Sequence, residues 1–159
     1  MLSNRDRELA KEIAKEIRRG RSGGSTPPME GMSAFKAWPG AAICLWIAYL
    51  LRDVSSLFWG ISLFFAAGFI MSHSVWLKDQ SLGYKDFGSM KIPLKDNLSV
   101  SKLEILFYFL IYFIGFYFLL DKLWSEYYFF VFALISLPAL GTFGTMCIAL
   151  FARRSDEFK

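Results

Sequence analysis

Charge is absent from four long stretches of this 159-residue chain: residues 37–51, 54–77, 105–120 and 127–152 contain no Lys, Arg, Asp or Glu. Within them apolar residues point in every helical direction. They lack both the polar face that a water-exposed helix keeps and the apolar–polar alternation of a membrane-barrel strand. Crossing the hydrocarbon core takes about 20 apolar residues, with roughly 17–25 tolerated. The second and fourth stretches meet that requirement outright. The first and third meet it once Lys36, Lys102 and Asp121 reach back toward the interface from their ends. Short polar connections at 52–56 and 121–126 join the first pair and the second pair. The pattern predicts an all-α integral membrane protein with four transmembrane helices, at about 35–52, 54–77, 101–121 and 126–151. They are expected as two tight hairpins around a loop at 78–100.

The flanks add signals of their own. Residues 1–20 predict an amphipathic helix outside the membrane: Leu9, Ile13 and Ile17 recur every four residues, while Glu8, Glu12 and Glu16 each precede a base by three. Ser3 with Asp6 opens this helix as a capping box, and Gly20 closes it. Arg18, Arg19 and Arg21 suit its C-terminal dipole and form a candidate surface for anionic lipid or a partner, together with Leu9, Ile13 and Ile17. Residues 21–34, "RSGGSTPPMEGMSA", read as a flexible linker, and Trp38–Pro39 as an interfacial anchor with a helix-starting proline. Gly83, Gly88 and Pro93 argue against a continuous helix in the central loop, whereas Ser101 and Glu104 form a capping box just before the third apolar run. Residues 153–159 form a short polar tail.

Charge placement predicts orientation. Of 18 Lys and Arg, eight precede the first span, five lie in 78–102, three follow the last span, and only Arg52 and Lys122 occupy the short connections. This positive-inside bias places both termini and the central loop in the cytoplasm. The first 35 residues are too polar for a cleaved signal peptide, so the first span is expected to act as an uncleaved anchor.

Small residues mark candidate packing faces: Gly40, Cys44 and Ala48 in the first span, Ser56 with Gly60 and Gly68 with Ser72 in the second, Gly141 with Thr145 in the fourth. Pro138 interrupts the hydrogen-bond ladder of the fourth span and predicts a kink. In the third span, "ILFYFLIYFIGFYFLL", eight of sixteen residues are Phe or Tyr, too many to line one site. Tyr108 and Tyr112 stand apart, one turn from each other with Gly115 on the same side. Their hydroxyls require partners in lipid, and Ser136 or Thr142 of the fourth span are the expected ones.

Chemistry is sparse. His73 is the only histidine and is expected as a hydrogen-bonded anchor near the end of the second span. Cys44 and Cys147 both fall inside spans and show no zinc-site spacing. No HExxH, paired-cysteine, Gly-x-Ser-x-Gly or phosphate-loop pattern occurs, so no catalytic, cofactor or metal site is expected. Proton-coupled transporters keep an ionisable group at mid-membrane, and small four-helix multidrug transporters carry a glutamate in their first helix. The first span here, "AWPGAAICLWIAYLL", has none. The basic residues are interleaved with acids at the membrane face, which leaves nucleic-acid binding unsupported.

In organisation, with four spans, short outer connections and basic flanks, the chain resembles small bacterial inner-membrane proteins that protect or regulate by contact. Immunity proteins against pore-forming bacteriocins and the exclusion proteins of conjugative plasmids are examples. The resemblance implies a non-enzymatic protein that binds another membrane protein, or itself, with anionic lipid at its cytoplasmic face. A holin-like or channel-forming oligomer and a small subunit of a larger secretion or enzyme complex are the alternatives.

Overall fold

The computed structural model describes residues 31–86, 91–94 and 100–151. The amphipathic helix expected over 1–20 lies outside these residues, as do Leu9, Ile13, Ile17, Arg18, Arg19, Arg21 and the 153–159 tail. Among the described residues four helices are long and apolar enough to cross a membrane: α1 (Ala34–Leu51), α2 (Ser56–Leu82), α3 (Lys102–Ser125) and α4 (Phe129–Phe151). Their outward surfaces are strongly apolar. Phe35 is 89% exposed and Phe118 66%, an arrangement that only a lipid solvent makes favourable.

Helix boundaries follow local chemistry more closely than they follow the charge-free stretches. α1 starts at Ala34 after an extended Ser33, so Pro39 sits inside the helix and not at its start. α2 continues five residues past Leu77, through Lys78 and Asp79, because nothing breaks it before Gly83. Gly83 adopts φ 78° and donates its N–H to the Asp79 carbonyl at 2.9 Å, a left-handed cap that glycine reaches without strain. At ~1.5 Å per residue α2 is about 40 Å long and exceeds a ~30 Å hydrocarbon core. α3 begins as its capping box requires, with the Glu104 N–H donating to Ser101 Oγ at 3.2 Å. It also runs past Asp121 and Lys122 to Ser125. α4 is a single helix through Pro138, whose buried ring packs inside the molecule.

The central segment contains a short antiparallel ribbon that the apolar pattern did not foretell. β1 (Tyr84–Asp86) pairs with β2 (Lys91–Pro93) in the register Tyr84↔Pro93, Lys85↔Ile92 and Asp86↔Lys91. The Leu94 N–H returns to the Gly83 carbonyl at 3.2 Å, tying the ribbon to the end of α2.

Packing is only partly sequential. α1 lies along α2, α2 along α4, and α4 along α3, while α2 and α3 touch sparingly. α2 is thus the central helix, and Leu63, Leu77, Ile105, Leu123, Ile135 and Met146 fill the buried core around it. Both short connections sit at one end of the molecule: Glu126 Oε1 lies 3.3 Å from Lys122 Nζ and 4.0 Å from Arg52 Nη2, and Trp59 meets Tyr128 edge-on at 5.1 Å. Tyr127 takes φ 63° there, an uncommon conformation for a residue bearing a Cβ.

Candidate functional site

A buried histidine forms the polar centre of the bundle. His73 is in α2, is fully shielded from solvent, and sits between serines in the triplet Ser72–His73–Ser74. Its Nδ1 is 2.6 Å from the hydroxyl of Tyr112 on α3. Trp76 stacks on the imidazole with centroids 5.8 Å apart and planes 15° from parallel. Tyr108 meets it edge-on at 4.8 Å, and Trp38 of α1 in turn meets Tyr108 at 6.3 Å. His73 Nε2 has no hydrogen-bond partner among the described residues. An unpaired buried ring nitrogen costs free energy, so its position here calls for an explanation.

This geometry corrects one expectation. Tyr112 does not pair with Ser136 or Thr142. Those hydroxyls bond within their own helix, Ser136 to the Phe132 carbonyl at 2.8 Å and Thr142 to the Pro138 carbonyl at 2.7 Å. Tyr112 instead faces α2, where its hydroxyl meets His73. Tyr108 and Tyr112 do share a face, with rings stacked at 6.0 Å.

A second polar layer joins α2 to α4. Ser74 Oγ and Thr145 Oγ1 are 2.7 Å apart, Ser74 also donates to the Met71 carbonyl, and Thr145 reaches the Gly141 and Thr142 carbonyls. Hydroxyl pairs of this kind link helices in lipid, where no water competes for them.

The glycines divide by what surrounds them. A Cβ on Gly60 would stand 2.8 Å from Val131 Cγ2, one on Gly40 would press 2.7 Å from the Phe69 ring, and one on Gly141 would stand 2.8 Å from Met71 Cε. These three are consumed by contacts within the chain. Gly68, Gly115 and Gly144 have open space where a Cβ would go.

Two apolar clefts open beside those unfilled positions. One, of about 360 Å³, lies between α1 and α3 and is floored by α2. Ala41 and Leu45 form one wall, Gly115 and Leu119 the other, with Ala66 and Ala67 beneath and Trp38 and Tyr112 at one end. The other, of about 540 Å³, runs along α2 and α4 past Phe64, Phe65, Gly68, Met71, Leu137 and Pro138. Candidate residues named from sequence therefore separate: Tyr108, Tyr112 and Gly115 belong to the first cleft and its polar end, Gly68 to the second, and Gly60, Gly141 and Thr145 to internal packing.

His73 is hydrogen-bonded, as its place in the sequence led one to expect, but the aromatic rings of Trp76 and Tyr108 around it were not foreseen. The available signal was the triplet Ser72–His73–Ser74, the most polar run within an otherwise apolar stretch. Among the described residues no three His, Cys, Asp or Glu side chains converge, and both cysteines are free. The arrangement offers a single imidazole and hydroxyls beside an apolar cleft. Comparison with protein-family models, curated proteins and solved structures returned no match.

Proposed function

We propose that this chain is a small non-enzymatic membrane protein that acts by contact with another membrane protein docked along the α2–α4 face around Gly68. One observation carries the reading: Gly68 is a small residue left unfilled by its own fold, beside an open apolar groove, while Gly40, Gly60 and Gly141 are already used internally. Small residues let helix backbones approach closely, and close packing drives association where lipid is as apolar as leucine. The inward placement of the Ser74, Thr142 and Thr145 hydroxyls supports a contact role over a channel, which would turn such groups toward a lumen. Immunity or exclusion proteins of the bacterial inner membrane provide the organisational analogy.

A photocrosslinker at Phe65, half-exposed in this groove, is expected to capture one discrete second polypeptide in the native membrane. The adduct should vanish in Gly68→Leu and survive in Gly115→Leu, which alters the other cleft. Adducts with lipid or with the same chain alone would overturn the reading.

Orientation belongs to the same proposal. The two hairpins are placed with both termini and the 78–100 segment in the cytoplasm, because all but Arg52 and Lys122 of the basic residues lie on that side. Reporter fusions after Asp53 and Asp121 should read as external, and those at Lys85 and Lys159 as cytoplasmic. An external signal at Lys85 would reject the arrangement.

A further inference from the structure

α2 and α3 end in the same backbone conformation with opposite choices of residue. At the end of α2 the left-handed position is Gly83, with φ 78°. At the end of α3 it is Tyr127, with φ 63°, the one non-glycine residue of positive φ among the described residues. The Tyr127 N–H donates to the Trp124 carbonyl at 3.2 Å, and the Tyr128 N–H to the Leu123 carbonyl at 2.9 Å. That pair of bonds is the helix cap which glycine fills with least strain, because a Cβ crowds the neighbouring carbonyl. The cap also turns the chain at once, since only residues 126–128 separate α3 from α4.

Contacts inside the molecule do little to offset the strain. Tyr127 is 78% exposed. Phe129 meets its ring edge-on, with centroids 5.9 Å apart, and is itself exposed. What surrounds the Tyr127 ring follows from its level in the fold. One residue earlier, Glu126 lies against Lys122 and Arg52, a charged group that belongs in water. Three residues later, Phe130 is 71% exposed on a helix apolar enough to enter lipid. A connection this short between two spans holds Tyr127 where water gives way to hydrocarbon. Trp124 and Tyr128 are exposed at the same connection. Tyr and Trp collect at that level in membrane proteins, because the apolar ring and the polar tip suit opposite media.

We propose that Tyr127 is a membrane-surface anchor for the α3–α4 hairpin. Its ring lies in the glycerol and headgroup layer of phospholipid with the hydroxyl toward water, and it fixes the depth of the connection. Glycine would close the helix with less strain but would leave that depth unset. The inference rests on the hairpin arrangement proposed above and requires only that α3 and α4 each cross the bilayer. It is independent of which face is external and of docking at Gly68.

Depth is the quantity to measure. The full chain carrying Cys44→Ala, Cys147→Ala and Ser125→Cys is reconstituted in phosphatidylcholine vesicles, with a charged maleimide on both sides. Tyr127→Ala and Tyr127→Gly should each change the labelling rate about threefold, and Tyr127→Trp should leave it unchanged. Alanine keeps the backbone strain and glycine removes it, so equal shifts in the two assign the effect to the ring. In mixed micelles Tyr127→Gly should have an unfolding equilibrium constant about fivefold below that of Tyr127→Ala. Benzoylphenylalanine in place of Tyr127 should give a phospholipid adduct on irradiation in the native membrane. A polypeptide adduct, a labelling rate unmoved by both ring deletions, or Tyr127→Ala as stable as Tyr127→Gly would overturn the proposal. An external reporter signal at Lys85 would reject the orientation and leave this anchor standing, whereas an unmoved labelling rate would do the reverse.

Discussion

Gly60→Ala is expected to destabilise the folded chain by about 1–3 kcal/mol, the usual cost of overpacking a filled interior. The added Cβ would stand 2.8 Å from Val131 Cγ2 and 3.5 Å from Cγ1. Val131 is buried and β-branched, and in a helix such a side chain has essentially one rotamer, so it has nowhere to turn. Relief therefore requires α2 and α4 to separate, and that is the contact on which the bundle is centred. Gly141→Ala tests the same interface with a softer neighbour. Its Cβ would meet Met71 Cε at 2.8 Å, the far end of a flexible thioether that can swing aside, so its cost should be clearly smaller. Gly115→Ala should be neutral or stabilising, because it meets nothing and removes the penalty of about 1 kcal/mol that glycine carries inside a helix. Reversible unfolding in mixed detergent micelles gives all three values. The ranking Gly60, then Gly141, then Gly115 is the expected result, and a Gly60→Ala variant as stable as Gly115→Ala would show that α2 and α4 do not cross so closely.

Tyr112→Phe has the second large effect. Removing the hydroxyl leaves His73 Nδ1 without its 2.6 Å partner in a site where Nε2 already has none among the described residues, at an expected cost of about 1–3 kcal/mol for the stranded group. The combination of Tyr112→Phe with His73→Leu is expected to cost less than the sum of the two single changes, since deleting both partners leaves no orphan. The same unfolding assay run as a double-mutant cycle measures the coupling. Strict additivity would mean that the hydroxyl and the imidazole do not interact.

The spans were legible because charge is excluded from lipid, and a run such as 54–77 can hardly be read otherwise. Their ends were less so. The charge-free stretch stops at Leu77, yet α2 proceeds to Leu82, since helix termination depends on a breaker and the first is Gly83. Lys78 and Asp79 continue the helix and lie 3.5 Å apart at their charged ends. The capping box at Ser101 was legible because both partners lie within one turn. The partner of Tyr112 was not. Spacing within α3 states which residues share a face, but says nothing about which helix that face meets. Both neighbours of α3 in the chain, α2 and α4, were available to that face, and it is α2 that meets it at His73, 39 residues away, although the two helices touch sparingly.

The same separation has a consequence for how the chain is made. His73 enters the bilayer with α2, but Tyr112 follows 39 residues later, and Thr145 follows Ser74 by 71. At about 5–20 residues per second, His73 waits roughly 2–8 s for its hydroxyl and Ser74 roughly 4–14 s for its own. During that interval the first two helices carry polar groups into lipid with nothing to satisfy them across the bundle. A nascent chain halted between α2 and α3 would therefore display the very triplet that the finished protein conceals.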